Sequence, residues 1–164
     1  MKLRHLFFAC SGVFVMMFSL LLLVVIVFSD EEDGGSGGNL IYGGVSVSQE
    51  VLAHKPMLEK YAREYRIEEY LNVLLAIIQV ESGGTLEDVM QSSESLGLPP
   101  NSLSTEESIK QGCKYFSELL AAAETKGCDL NSVIQSYNYG GGFLDYVAGR
   151  GKRYTFKLAE SFAR

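Results

Sequence analysis

Glu81 closes an uncharged run, Ala76-Ile77-Ile78-Gln79-Val80, and is followed at once by Ser82-Gly83-Gly84. A lone carboxyl group at the end of an apolar helix is hard to ionise, because burial withholds water from its charge. A carboxyl kept protonated in that way can give its proton to a glycosidic oxygen near neutral pH. The competing explanation is an ordinary polar residue at a helix C-terminus, with the glycines as stop signals. Glycoside hydrolysis usually needs a second carboxyl group, acting as base or nucleophile. Asp88 follows across the Gly83-Gly84 bend, which can swing it back toward Glu81 to activate water or face a developing positive charge. Glu94 competes for that role, and Glu87 reads as solvated.

Two further clusters carry polar groups suited to a sugar. The first is Val89-Met90-Gln91-Ser92-Ser93-Glu94-Ser95, and the second is Ser136-Tyr137-Asn138-Tyr139-Gly140-Gly141. Tyr137 can donate to the Glu81 carboxyl, stack on a sugar ring, or simply fill the core. Asn138 offers a donor and an acceptor to an N-acetyl group, or caps a helix. Gln91 contacts the glycan or braces its loop, and Glu94 can hold that loop through hydrogen bonds. Ser82 is a local hydrogen-bonding residue beside the acid, and Met90 reads as core. The three glycines at 140–142 let backbone approach a ligand closely or break the helix.

Helices must position these groups. Ser48 is placed to cap a segment carrying Val51, Leu52, Leu58, Tyr61 and Ala62, restarted at Pro56. The stretch from Glu68 to Glu81 is apolar on nearly every side, the pattern of a central, buried helix. Thr85 to Leu103, Ser-rich with Pro99-Pro100, reads as a structured loop. Thr105 is the expected N-cap of a helix ending at Gly127, with Glu107 in its first turn. Leu130–Tyr139 and Phe143–Ala148 follow as shorter helices, and Tyr154 begins another that reaches Arg164 without a C-cap, as in a truncated chain. No strand-like alternation or internal repeat occurs, so the expected class is all-α.

The N-terminal quarter is of another kind. Leu6 to Phe28 contains no charged residue over 23 positions. As a helix it spans about 35 Å, enough for a hydrocarbon core of about 30 Å. It is too long for a signal peptide and lacks a small-residue cleavage site. Lys2 and Arg4 precede it, and no Lys or Arg follows before Lys55, so the remainder is expected outside the cell membrane. The division is therefore 1–29, cytoplasmic stub and single-pass transmembrane anchor; 30–46, acidic Gly/Ser-rich tether; and 47–164, the folded domain. From Leu40 onward 12 Lys and Arg face 16 Asp and Glu, a net of −4, which argues against nucleic acid as a partner. The basic tail, Arg150 to Arg164, reads as a solvated face. His5 and His54 lack ligand spacing for zinc, so no metal is expected. Cys113 and Cys128 are expected as buried free thiols, since helix length separates them too far for a disulfide.

Taken in order, the three clusters resemble the lysozyme-like superfamily that includes goose-type lysozymes and lytic transglycosylases. Its members share a Glu-Ser at a helix end, a Met-Gln loop, and an Ala-Tyr-Asn-like helix leading into glycines. The chain is most similar to the bacterial lysozyme-like domain of membrane-anchored cell-wall hydrolases of conjugative elements, over roughly Val47 to Arg164. Ser136 stands where many relatives have Ala, and Asp88-Val89 replaces a glycine that often precedes the Met-Gln pair. The resemblance implies a peptidoglycan N-acetylmuramidase that cuts the β-1,4 bond between N-acetylmuramic acid and N-acetylglucosamine without a cofactor. It implies Glu81 and Asp88 as catalytic residues, and Ser82, Gln91, Glu94, Tyr137 and Asn138 as substrate contacts. Partners would be glycan strands, the membrane, and a conjugation or secretion apparatus for which the wall is opened locally. Alternatives within the resemblance are a lytic transglycosylase, which needs only Glu81, and a non-catalytic wall-binding or secretion-scaffold module. Relatives often continue into a cysteine-peptidase domain, which here would lie beyond Arg164.

Overall fold

The computed structural model describes residues 41–42 and 45–164. The charge-free stretch 6–28, Cys10 and most of the tether lie outside the described residues, and with them the expected membrane anchor. Among the described residues no helix is long and apolar enough to cross a membrane. The end of the expected tether is paired: Ile41–Tyr42 (β1) and Val45–Ser46 (β2) form a short antiparallel ladder, with Ile41 opposite Ser46 and Tyr42 opposite Val45. Composition does not reveal so short a ladder, because backbone groups rather than side-chain alternation make it.

All other regular structure among the described residues is helical. Ser48 takes extended backbone angles and its hydroxyl accepts from Val51 N, which starts α1 at Gln49–Ala53. The chain restarts as α2, Lys55–Glu64, with Pro56 in the first turn, where its missing N–H costs no helical bond. The helix expected from Glu68 is preceded by a 3₁₀ turn, Glu68–Tyr70, and α3 proper runs Leu71–Glu81. Six successive residues of α3, Val73 to Ile78, are buried, and Leu74, Leu75, Ile77 and Ile78 have no exposed surface. Each such side chain contributes about 1.5–3 kcal/mol. Helix α3 is thereby the central rod, with α1 and α2 packed on it.

The loop after α3 includes a second 3₁₀ turn, Ser92–Leu96, seated on the long helix α4, Thr105–Lys126. The cap of α4 is Ser104 rather than Thr105. Ser104 holds extended angles, and both its N–H and its hydroxyl donate to Glu107 Oε2, at 3.0 and 2.6 Å. That closes the first turn one residue earlier than expected. Helix α4 packs on α2, on α5 (Leu130–Tyr139) and on α6 (Gly142–Ala148), and α7 (Phe156–Phe162) packs on α6. An aromatic cluster of Tyr139, Phe143, Tyr146 and Phe162 joins the last three helices, with ring centroids 5.3–6.4 Å apart. Cys113 is buried and Cys128 half-buried, both as free thiols.

Candidate active site

Glu81 is the last residue of α3, and Ser82 caps the helix. Gly83 and Gly84 then adopt φ of +61° and +77°, the left-handed region that favours glycine. At Gly84 space is also decisive: a Cβ would stand 2.7 Å from Glu50 C and Val51 N. The N-terminal helix therefore lies directly on the turn that follows Glu81. It is fastened there by Ser48 N donating to Gln79 Oε1 at 2.7 Å and His54 Nε2 donating to Gly84 O at 2.9 Å. Ser82 ties the same turn to the Met-Gln loop, accepting from Gly84 N at 3.0 Å and donating to Val89 O at 2.7 Å.

Asp88 does not open toward a cleft, contrary to the expectation that the bend swings it back there to activate water. Its side chain has no exposed surface. Oδ1 accepts from Ser92 N at 2.9 Å and Ser108 Oγ at 2.6 Å, and Oδ2 accepts from Ser93 N at 3.2 Å. The carboxylate is the bracket around which the loop folds. Gln91 takes left-handed angles (φ 46°) and its amide donates to Asp88 O and Asn101 Oδ1, both at 2.8 Å. Tyr137 is likewise placed differently from the sequence-based expectation of a bond to Glu81. Its hydroxyl hydrogen goes to Met90 O at 3.1 Å, and its ring centroid lies 5.5 Å from that of Tyr115.

Gln91, Glu94 and Ser95 on one wall, and Tyr115, Tyr137, Asn138 and Gly140 on the other, enclose a cleft of about 220 Å³. Glu94 is exposed, and Asn138 is half-buried. A larger depression, of about 500 Å³, lies elsewhere, between Tyr65, Arg66, Tyr70 and Glu124. It includes no residue of the three clusters, so the chemistry favours the smaller cleft. Glu81 is not itself one of the cleft-lining residues. Its electrostatic neighbours are: Glu94, which the carboxyl feels directly, and Tyr137, whose hydroxyl feels Glu81.

Burial first, then the negative charges of Glu94 and Asp88, push the Glu81 carboxyl up to about 8. Its Oε2 is buried with no hydrogen-bond partner among the described residues. A carboxyl so placed holds its proton at neutral pH, and no described group satisfies Oε2 as an anion. The same low-dielectric surroundings, together with Glu81, raise the Tyr137 hydroxyl well above its ordinary range. Three contributors escaped the sequence reading: Ser108, Gly112 and Tyr115. All lie on α4, and their spacing of i, i+4 and i+7 puts them on one helical face, which is the signal that could have revealed them. Gly112 has a steric reason, since a Cβ there would meet Met90 Sδ at 2.5 Å and Tyr137 Oη at 2.9 Å.

The sequence profile of the family described as lysozyme-like matches residues 48–164, which include the acid, its loop and the cleft. The chain belongs to the lysozyme-like family. It is 44% identical over 124 residues to the bifunctional muramidase/DL-endopeptidase CwlT of Bacillus subtilis (strain 168), covering 75% of this chain and 37% of CwlT. It is 37% identical over 118 residues to the uncharacterized membrane protein YocA of the same strain, covering 71% of this chain and 52% of YocA. A crystal structure from Staphylococcus aureus subsp. aureus Mu50, described as similar to lipoprotein, NLP/P60 family, superposes with a TM-score of 0.72 and 73% sequence identity. That match covers 73% of this chain and 41% of the other. The chain thus spans between about a third and a half of the length of these relatives. What the match shows for residues 48–164 is a domain of the lysozyme-like family.

Proposed function

We propose that this domain is a peptidoglycan N-acetylmuramidase, with Glu81 as the general acid. The observation that carries the proposal is the Glu81 carboxyl: half-buried, with Oε2 sealed from solvent and without a partner, held protonated at neutral pH, and next to a cleft of polar and aromatic residues. Such a group gives its proton to the leaving oxygen as the glycosidic bond breaks. The oxocarbenium-like charge that develops on the sugar then meets the two anions that held the proton on Glu81, namely Glu94 and Asp88.

The two anions divide the work for which the sequence offered Asp88, with Glu94 as its rival. Glu94 is exposed in the cleft wall, where it can reach water, and we assign it the activation of the attacking water. Asp88, sealed from solvent, acts through its charge and by bracing the loop. Asn138 offers its amide to the N-acetyl group, and Gln91 and Tyr137 shape the walls. Ser82 stays a brace between the turn and the loop. The apolar N-terminal segment would tether the domain to the outer membrane face. That suits a local cut in the cell's own wall, as around a conjugation or secretion apparatus.

The test compares the full chain with its Glu81→Gln variant on purified peptidoglycan, with products weighed by mass spectrometry. Reducing ends on muramic acid that vanish in the variant support the muramidase. Ends lighter by one water would make the enzyme a lytic transglycosylase, and lysis unchanged in Glu81→Gln would remove Glu81 from the mechanism. Glycan binding with no bond cleaved would make it a wall-binding module.

A further inference from the structure

Ser108 meets the site from the first turn of α4 and has no exposed surface. Its hydroxyl makes two bonds at once, donating to Asp88 Oδ1 at 2.6 Å and accepting from Met90 N at 3.0 Å. Its carbonyl accepts from Ser92 Oγ at 2.9 Å. A serine hydroxyl has a single hydrogen and two lone pairs, so this pairing sets which way the Asp88 carboxylate faces. The other donors to that carboxylate, Ser92 N and Ser93 N, are backbone groups of the loop itself. Among the described residues no lysine, arginine or histidine forms an ion pair with Asp88. A buried carboxylate without a cation depends on its hydrogen bonds to stay where it is.

The second bond of Ser108 continues to the cleft. Met90, whose N–H it receives, offers its carbonyl to the Tyr137 hydroxyl. One turn further along the same face, Gly112 leaves the space that the Met90 side chain and the Tyr137 hydroxyl occupy. Helix α4 thus presents a hydroxyl and then a hole, and both are filled by the Met90 segment.

We infer that Ser108 is a positioning residue for the Glu81 reaction: by binding the Asp88 carboxylate and the Met90 amide together, it holds a fixed negative charge behind Glu81 and keeps Tyr137 and Glu94 in the cleft walls. This rests on the reading of Glu81 as the acid. The groups facing Glu81 are the carboxylates of Asp88 and Glu94 and the hydroxyl of Tyr137. Without the Ser108 hydroxyl the Asp88 carboxylate keeps only the loop's own donors, Ser92 N and Ser93 N, and is no longer fastened to α4. The proton on Glu81 then loses part of the field that retains it.

The experiment measures kcat and KM for glycan cleavage from about pH 5 to 9 with the full chain and its Ser108→Ala, Asp88→Asn and Ser108→Ala/Asp88→Asn variants. Glu81→Gln serves as the inactive control. Ser108→Ala is expected to lose about ten- to a hundredfold in kcat, with KM within a few-fold. The high-pH limb of its profile moves to lower pH. Asp88→Asn moves the same limb the same way, and the double variant adds little, as for residues acting through one contact. A Ser108→Ala limb that stays in place while activity falls only with the folded fraction overturns the inference. Should Ser108→Ala not fold, an unmoved limb in Asp88→Asn overturns it equally. Activity retained in Glu81→Gln would instead bring down the assignment of the acid, and this inference with it.

Discussion

Replacing Glu81 with Gln is predicted to abolish glycan cleavage and, at the same time, to stabilise the fold at neutral pH. In the folded chain the Glu81 carboxyl titrates at about 8, against an ordinary value of 4.5. Between these values the folded chain holds one proton more than the unfolded chain. Stability is complete below the unfolded value and is lost as pH rises toward the folded one, at about 1.4 kcal/mol per pH unit. At pH 7 the native chain has therefore given up about 3 kcal/mol of the stability it has near pH 4.5. That is a large part of the 5–15 kcal/mol typical of a whole domain, roughly speaking. Gln has nearly the same shape and does not ionise, so the variant lacks this slope. Urea unfolding of both proteins, followed by far-UV circular dichroism at about pH 5, 6 and 7, gives the difference in stability as a function of pH. Titrations elsewhere, such as those of Glu50, Glu106 and Glu107, are common to both chains and cancel. The expected difference climbs by about one proton's worth per pH unit. A difference that stays level across the range would refute the argument that burial holds the proton on Glu81.

Other substitutions separate the remaining roles. Glu94→Gln removes the larger of the two charges acting on Glu81, so the high-pH limb of kcat/KM should move to lower pH, and hydrolysis should fall because the water loses its base. A limb left in place would show that Glu94 does not face the acid. Gly84→Ala combines a φ of +77° with a Cβ 2.7 Å from the backbone of Glu50 and Val51, and should cost about 2–4 kcal/mol in thermal unfolding. Gly97→Ala, at a φ of +70° but with open space, should cost only about 1 kcal/mol. Equal losses at the two glycines would discard the steric argument. Tyr137→Phe strips Met90 O of its donor in a buried position and should cost about 1–3 kcal/mol, read by urea unfolding.

The class of this domain and the setting of Glu81 at the end of an apolar helix were legible in the chain because both are local. The apolar stretch before Glu81 has no polar side for a helix to turn outward, so Val73 to Ile78 had to be buried, and the acid at their end is half-buried with them. Ser48 and Gly127 announce helix ends through bonds made within a few residues. Where two local signals lie side by side, as with Ser104 and Thr105, only the backbone angles choose between them. The role of Asp88 is another matter. Its spacing from Glu81 shows a carboxylate that can come near, but its spacing cannot show which way the carboxylate faces. That direction is decided by Ser108 on α4, twenty residues away in the chain. The hydroxyl of Tyr137 is similarly claimed by Met90, forty-seven residues away. A hydrogen has one destination, and which acceptor receives it depends on helices that meet only when the chain is packed. The residue types thus determined that this chain carries a carboxyl at the end of an apolar helix on a mainly helical frame. Tertiary packing decided which carboxylate lines the cleft and which one is sealed from solvent.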